Sequence, residues 1–325
     1  MISFLLRRLA QALGVMLVVG FVAFSLFRYV GDPVNNLLGQ DATPVERARL
    51  RSDLGLDRPA AWQFARFVGR AVQGDFGFSL RQGRPVATLM AERLPATVEL
   101  SLVAALLALG LGIPLGVRSA MHQGRPGVRW GLLLSLAGVS LPTFLVGIAL
   151  IEVFAVRLHW LPSFGRGATV SLGPWTTGLL TADGWRHLVL PALTLAVYPL
   201  ALIMRLVRAD MLEVLRSEHL RFARARGLPE HVLHYRHALR NTLVPVIPVV
   251  GLQLGGLIAF SIITETVFAW PGMGNLFIQA VQFADVPVMA AYLCLIAAVF
   301  VSLNLVVDLL EWRLDPRLRR AKVSA

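Results

Sequence analysis

Six stretches of the chain carry no charged residue and are predominantly apolar: Leu9–Phe27, Leu100–Val117, Trp130–Ile151, Leu188–Met204, Asn241–Thr264 and Val286–Val307. A helix needs roughly 20 such residues to cross ~30 Å of hydrocarbon. Lipid offers no partner to a backbone N–H or C=O, so a crossing run has to be helical. The pattern predicts an all-α polytopic membrane protein with six transmembrane helices. Between the first two runs the pattern changes to short punctuated segments. Thr43-Pro44-Val45-Glu46 has the form of a capping box with proline at the first helical position, predicting a helix that runs toward Leu54 and stops at Gly55. A second helix is predicted from Pro59, with Trp62, Ala65, Phe67 or Val68, and Val72 on one side. A third, Val86 to Leu94, is expected to end against Pro95.

The arginines orient the spans. The side holding both termini, the second-to-third loop and the fourth-to-fifth loop carries eighteen Lys or Arg. The other side carries three, Arg157, Arg166 and Arg186, once the long first loop is left out. Positive charge accumulates on the cytoplasmic side, so both termini are expected in the cytoplasm and the first loop outside. Composition agrees, at 56% hydrophobic and 15% charged residues with mean hydropathy +0.66. The net charge of +12 tracks these membrane sides rather than a nucleic-acid surface. The first run exceeds a signal-peptide h-region and is read as a retained anchor. Its Arg7-Arg8 pair fits that cytoplasmic anchor better than a twin-arginine signal. The expected organisation is residues 1–30 as the first span, 31–96 as an external helical insertion, 97–312 as a five-helix core with a cytoplasmic loop over 205–240, and 313–325 as a basic tail.

Within the spans, Gly112-x-x-x-Gly116 and Gly251-x-x-x-Gly255 have the spacing that lets helix backbones approach closely. Pro114, Pro142, Pro191, Pro199 and Pro245 lie in or at the ends of spans, where neighbouring helices can repair the lost bond. Glu152 and Glu265 fall at span ends and are expected to reach water.

Several chemistries are excluded. No G-x-S-x-G or H-E-x-x-H occurs, and the single cysteine, Cys294, permits no internal disulfide. Gly110-Leu111-Gly112 and its neighbours sit in an apolar span with no preceding strand, which rules out a dinucleotide loop. His231, His234 and His237 share one helical arc but lack a clear carboxylate or cysteine partner, and read as a polar face rather than a metal site. Lys322 is the only lysine and follows no Walker pattern. A P-loop needs its lysine on the nucleotide phosphates, so no catalytic residue, metal or cofactor is expected in this chain. Any ATP-driven role needs a separate motor subunit.

The loop between the fourth and fifth spans contains Ser217-Glu218-His219-Leu220-Arg221-Phe222-Ala223-Arg224-Ala225-Arg226-Gly227-Leu228-Pro229. Ser217 is an N-cap candidate and Gly227 a candidate C′ residue, predicting a two-turn helix. This segment, followed by His237-Ala238-Leu239-Arg240-Asn241, resembles the "EAA loop" of binding-protein-dependent ABC importer permeases, in the variant of the dipeptide/oligopeptide/nickel class. Further matching stretches run in order along the chain, among them Gly31-Asp32-Pro33, Leu54-Gly55-Leu56-Asp57-Arg58-Pro59, Gly74-Asp75-Phe76-Gly77-Phe78-Ser79, Arg93-Leu94-Pro95-Ala96-Thr97-Val98-Glu99-Leu100, Leu188-Val189-Leu190-Pro191-Ala192, Glu265-Thr266-Val267-Phe268-Ala269-Trp270-Pro271-Gly272-Met273-Gly274 and Leu314-Asp315-Pro316-Arg317. The loop departs from the general motif where Arg221 replaces glutamate and Phe222 replaces the first alanine.

The resemblance implies a type I importer permease fold in a bacterial inner membrane. It also implies a second homologous permease, two cytoplasmic P-loop ATPases that bind ATP and Mg, and an external solute-binding protein. It assigns ATPase coupling to Ser217, Leu220, Arg221, Phe222, Ala223, Arg224, Ala225, Gly227, Leu228 and Leu239. The substrate class it implies is di- or oligopeptide, with nickel, glutathione, opine or oligosaccharide as alternatives. No substrate-binding residue is assigned. An ion-coupled secondary transporter is the competing class, and would want ionisable groups deep within the spans.

Overall fold

The computed structural model describes residues 2–29, 43–53, 57–79 and 81–314. The Gly31-Asp32-Pro33 stretch, the expected stop at Gly55 and the chain beyond Leu314 lie outside them. Eleven helices are described: α1 Ile2–Tyr29, α2 Pro44–Asp53, α3 Ala60–Val72, α4 Val86–Met121, α5 Pro126–Ser140, α6 Thr143–Leu150, α7 Ala182–Leu215, α8 Glu218–Ala225, α9 Leu239–Val267, α10 Met273–Gln282 and α11 Val286–Leu314. π-Helical turns extend α6 over Ile151–Arg157 and precede α9 over Val232–Ala238, and a short hairpin pairs β1 Val170–Leu172 with β2 Trp175–Thr177. Five helices are long and apolar enough to span a membrane, and a sixth span follows if the bent pair α5–α6 is one crossing.

The chain divides into two compact units, Met1–Thr97 with Ser171–Thr177 and Pro271–Val301, and Val98–Val170 with Gly178–Trp270 and Ser302–Ala325. In the first, Val86 and Leu89 of α4 pack with Leu276 and Ala280 of α10 and with Val288 and Ala291 of α11. Thr97 Oγ1 accepts the Met273 N–H at 2.7 Å and so satisfies a donor at the start of α10. The Ser79 hydroxyl meets the buried Asp285 carboxylate, which ties the loop before α4 to the start of α11. The capping box forms as predicted: Glu46 accepts from Thr43 N–H and Oγ1 at 2.9 and 2.7 Å, while Thr43 Oγ1 accepts from Glu46 N–H at 3.3 Å.

Two expectations fail in this unit. The third external helix does not stop at Pro95, because α4 runs unbroken through it. Proline removes one bond to the carbonyl four residues back. That carbonyl belongs to Ala91, an exposed residue, so solvent can take the freed acceptor. Nor do Trp62, Ala65, Phe67 or Val68, and Val72 of α3 share one environment. Trp62, Ala65 and Val72 are exposed, while Phe64, Phe67, Val68 and Ala71 turn inward. Phe64 stacks edge-on to Phe21 and Phe24 of α1, and Phe67 contacts Phe24 and Phe27, so aromatic pairing sets the face.

In the second unit α7 is the central helix. Glycine brings its neighbours onto it without an intervening side chain. A Cβ on Gly116 of α4 would lie 2.8 Å from Met204 O and from Val207, and one on Gly138 of α5 would lie 3.0 Å from Val197. Gly251 of α9 meets Val307 of α11 in the same way. The third span is not one straight helix. α5 and α6 are bent by 114°, with Leu141 and Pro142 both extended. The residue before proline disfavours the helical region, and both halves still pack on α7, through Gly138 to Val197 and Gly147 to Thr194. Glu265 does not reach water. It is wholly buried in α9, with Ser261 Oγ donating to its carboxylate at 3.1 Å.

Candidate coupling surface

The loop after α7 begins at Arg216, and Ser217 takes the N-cap position with an extended backbone. Its carbonyl accepts from Leu220 and Arg221 N–H at 3.2 and 3.1 Å. Its hydroxyl makes no capping bond, so Ser217 caps by backbone position alone. α8 then closes two turns. The chain leaves it through Gly227 at φ +78°, in the left-handed region that favours glycine as a C′ residue.

Eight residues at 3.6 per turn cannot bury every apolar side chain. Leu220 and Ala223, three apart on one face, are 2% and 8% exposed and join Met211, Leu233, Ala238 and Val246 in the core of the second unit. Both side chains therefore anchor α8 to its own chain. Leu239 belongs with them, half-buried against the same core. Thr242 fixes the floor, donating to Ala238 O at 3.0 Å with Met211 Sδ at 3.5 Å.

The opposite face carries the remaining predicted residues. Arg221, Phe222, Arg224, Ala225, Gly227 and Leu228 are all exposed, Phe222 at 64%. Arg221 pairs with Glu218 at 2.8 Å. Arg224 makes a two-pronged contact with Glu230, at 2.8 and 3.2 Å, across the Gly227 turn. That guanidinium holds the Glu230 carboxyl below the ordinary carboxylate range, and Glu230 raises the Arg224 value in return. His234 lies 3.1 Å from Glu230, and the His219 and His237 rings stand 6.0 Å apart. Among the described residues no group of three or more His, Cys, Asp or Glu is placed to hold a metal ion.

Sequence reasoning missed two features. Arg226 stacks over Phe222 with its guanidinium carbon 5.4 Å from the ring centre, so the exposed ring is covered by charge on one side. Glu230 clamps the turn from the far side of a glycine, where no helical period points to it. Elsewhere in this unit Glu99 of α4 pairs with Arg166 at 2.6 Å, both almost fully buried, and accepts Gly178 N–H at 3.3 Å. The partners are 67 residues apart in sequence.

α8 thus presents an outward surface of one large aromatic ring, an exposed leucine and several guanidinium groups on a rigidly seated helix. Such a surface has no reaction chemistry; it can dock. Residues 112–320 match the family described as binding-protein-dependent transport system inner membrane component, and residues 1–101 match its N-terminal region. The dipeptide transport system permease protein DppB of Alkalihalophilus pseudofirmus is 37% identical over 332 residues, covering 98% of this chain and all of the relative. The glutathione transport system permease protein GsiC of Escherichia coli K12 is 35% identical over 320 residues, covering 98% and 99%. Among solved structures, the MetNI methionine ABC transporter in inward-facing conformations superposes with a TM-score of 0.54 at 18% identity, over 70% of this chain and 96% of that one. That likeness is one of fold, and it supports a type I importer permease architecture. Matched along nearly its whole length, the chain belongs to the binding-protein-dependent transport system inner membrane components and is a permease of an ABC importer.

Proposed function

We propose that this chain forms, with a second homologous permease, the translocation path of an inner-membrane importer for di- or oligopeptides. Two cytoplasmic P-loop ATPases bind ATP and Mg and drive it, and an external solute-binding protein delivers the substrate. The peptide reading is supported by two relatives, one named for dipeptide and one for glutathione, itself a tripeptide. Both termini and α8 face the cytoplasm, an orientation supported by the distribution of arginine. The docking of an ATPase on α8 is carried by one observation: Phe222 is held outward on a helix whose other face is buried in its own bundle. ATP-driven movement of the motor subunits then reaches α7 through that seat.

The complete transporter, reconstituted with its binding protein, tests both parts. Wild-type protein should hydrolyse ATP faster when a dipeptide is supplied. Phe222→Glu, at an exposed site, should change stability by no more than about 0.5 kcal/mol yet lower the stimulated rate roughly tenfold or more, as expected for a hot spot. Absence of dipeptide stimulation in the wild type would remove the substrate reading. A full response in the variant would remove the docking role. For orientation, cysteine placed at Gln73 in a Cys294→Ser background should react with an impermeant thiol reagent from outside, and cysteine at Ser217 should not.

A further inference from the structure

The 114° break between α5 and α6 falls at the depth of the bilayer centre. The apolar run of α7 is Leu188–Met204, and residues on both sides of the break meet its middle third. A Cβ on Gly131 would lie 3.6 Å from Met204 Cε and one on Gly138 would lie 3.0 Å from Val197. Seven residues along α5 thus match seven back along α7, and the two helices run antiparallel. Ser140 is carried to the level of Leu195, about 3 Å beyond Gly138 at 1.5 Å per residue. After the break, Gly147 of α6 meets Thr194 at nearly the same level.

Backbone at that depth needs partners. With Leu141 and Pro142 both extended, the helical ladder cannot cross from α5 to α6. Leu141 N–H still donates to Ala137 O at 2.9 Å, and Leu145 and Val146 N–H turn to Pro142 O at 3.0 and 3.2 Å. The last carbonyls of α5 and the first amides of α6 stay outside the ladder, and no side chain caps α6. Interrupted backbone survives in a membrane only inside protein or against water. Ser140, Leu141, Pro142 and Phe144 are exposed, so their own chain does not cover the break.

The side chains at this level are polar and uncommitted. Ser135 and Thr194, both buried, donate back to Leu132 O and Leu190 O at 2.8 Å. The hydroxyls of Ser140, Thr143 and Tyr198 make no hydrogen bond among the described residues. Between Leu188 and Met204, Tyr198 alone is exposed, at 39%. Arg205, also exposed, follows on the same face of α7 toward the α8 end. A joint between two apolar spans has no need of such a stripe, about 10 Å long. A hydrated conduit does.

We propose that the break at Ser140–Phe144 lines the translocation path at mid-membrane, and that the Ser140, Thr143 and Tyr198 hydroxyls serve the backbone of the peptide in transit. This assignment rests on the importer reading above and names the lining of its path. A hydroxyl both donates and accepts, so it can meet either the N–H or the C=O of any peptide whatever its side chains. No residue from Trp130 to Ile151 is charged. A charged end of the substrate therefore finds no fixed counter-charge on this span, and passage requires binding weak enough to leave.

The complete transporter, with its second permease and ATPases, is placed in nanodiscs that leave both faces open to a charged, water-soluble thiol reagent. In a Cys294→Ser background, Ser140→Cys and Thr143→Cys should react about tenfold or more faster than Leu134→Cys, because a reactive thiolate forms only where water reaches it. Leu134 is exposed on a different face of α5. Adding the binding protein and a dipeptide that stimulates wild-type ATP hydrolysis should slow both reactions several-fold. Thiols at Ser140 and Thr143 that stay unreactive in every nucleotide state would overturn the proposal. Reactivity in the isolated chain that disappears in the complex would overturn it too, by assigning the break to the joint with the second permease. So would labelling of Leu134→Cys as fast as Ser140→Cys, or rates indifferent to the stimulating dipeptide. A solute of another class would show instead as absent stimulation of the wild type with the labelling pattern intact, which separates failure of the peptide reading from failure of the lining.

Discussion

α3 and α8 are both short helices that bury one stripe on their own unit and turn arginine and a large aromatic ring outward. They differ in what the stripe is made of. α8 seats two compact side chains, Leu220 and Ala223, in a core contributed by α4, α7, the π-helical turn and α9. α3 rests chiefly on rings of one helix, Phe64 and Phe67 against Phe21, Phe24 and Phe27. They differ again in how their charges are placed. The α8 arginines Arg221 and Arg224 lie against Glu218 and Glu230, whereas Arg58, just before α3, and Arg66 within it gather over the Trp62 ring at 5.9 and 5.4 Å. A fixed, partly neutralised surface suits a protein groove that must transmit movement. A surface leaning on a single helix is the easier of the two to displace.

The sharpest way to break that comparison is at Ala223. Ala223→Asp puts a carboxylate into the core beside Leu220, without a partner for its charge, at a cost of roughly 3 kcal/mol. Trypsin should then cut at Arg224 or Arg226 in the purified chain far faster than in wild type, while α3 keeps its amide protection. Unchanged cleavage would mean that α8 is not anchored through this face. The counterpart on α3 is Phe67→Ala, which removes a half-buried ring from contact with Phe24, Phe27 and Phe76. It should cost about 2 kcal/mol, speed hydrogen exchange across α3 and leave α8 as it was. The smallest effect concerns acid. Glu230 has its carboxyl lowered in the folded chain by Arg224, from an ordinary value near 4.5. The stabilisation from this exposed pair is therefore complete above about pH 4.5 and disappears as pH falls below it, through the folded value. Protection of the Gly227 amide, measured against the intrinsic exchange rate at each pH, should fall over that range in the wild type and show no such step in Glu230→Gln.

What could be read from the sequence divides along a physical line. The capping box at Thr43 and Glu46, the C′ position of Gly227 and the existence of the spans each depend on residues a few positions apart, and each is present. Facing was harder. α8 offers Leu220, Phe222, Ala223 and Ala225 in eight residues, and nothing in so short a period says that the largest ring turns outward. α3 posed the same problem, decided by rings on α1 that local periodicity does not see. Pro95 and Pro142 look alike in sequence, yet one lies inside a continuous helix and the other at a 114° bend. The outcome depends on where the freed carbonyl points and on what each half packs against. Glu99 with Arg166 and the buried Glu265 are tertiary facts throughout.

The glycine contacts along α7 have a mechanical consequence. Met211, which floors the α8 seat, and Thr194, which faces Gly147 of α6, are 17 residues apart on one helix, about 26 Å at 1.5 Å per residue. At Gly116, Gly138 and Gly147 the neighbouring backbone bears directly on α7, with no long side chain in between to change rotamer and absorb a displacement. A close-packed joint of this kind is stiff. Close packing along these glycines leaves α7 little slack despite Pro199, so a displacement imposed on the α8 seat would reach the bent α5–α6 pair through α7 instead of being lost along the way.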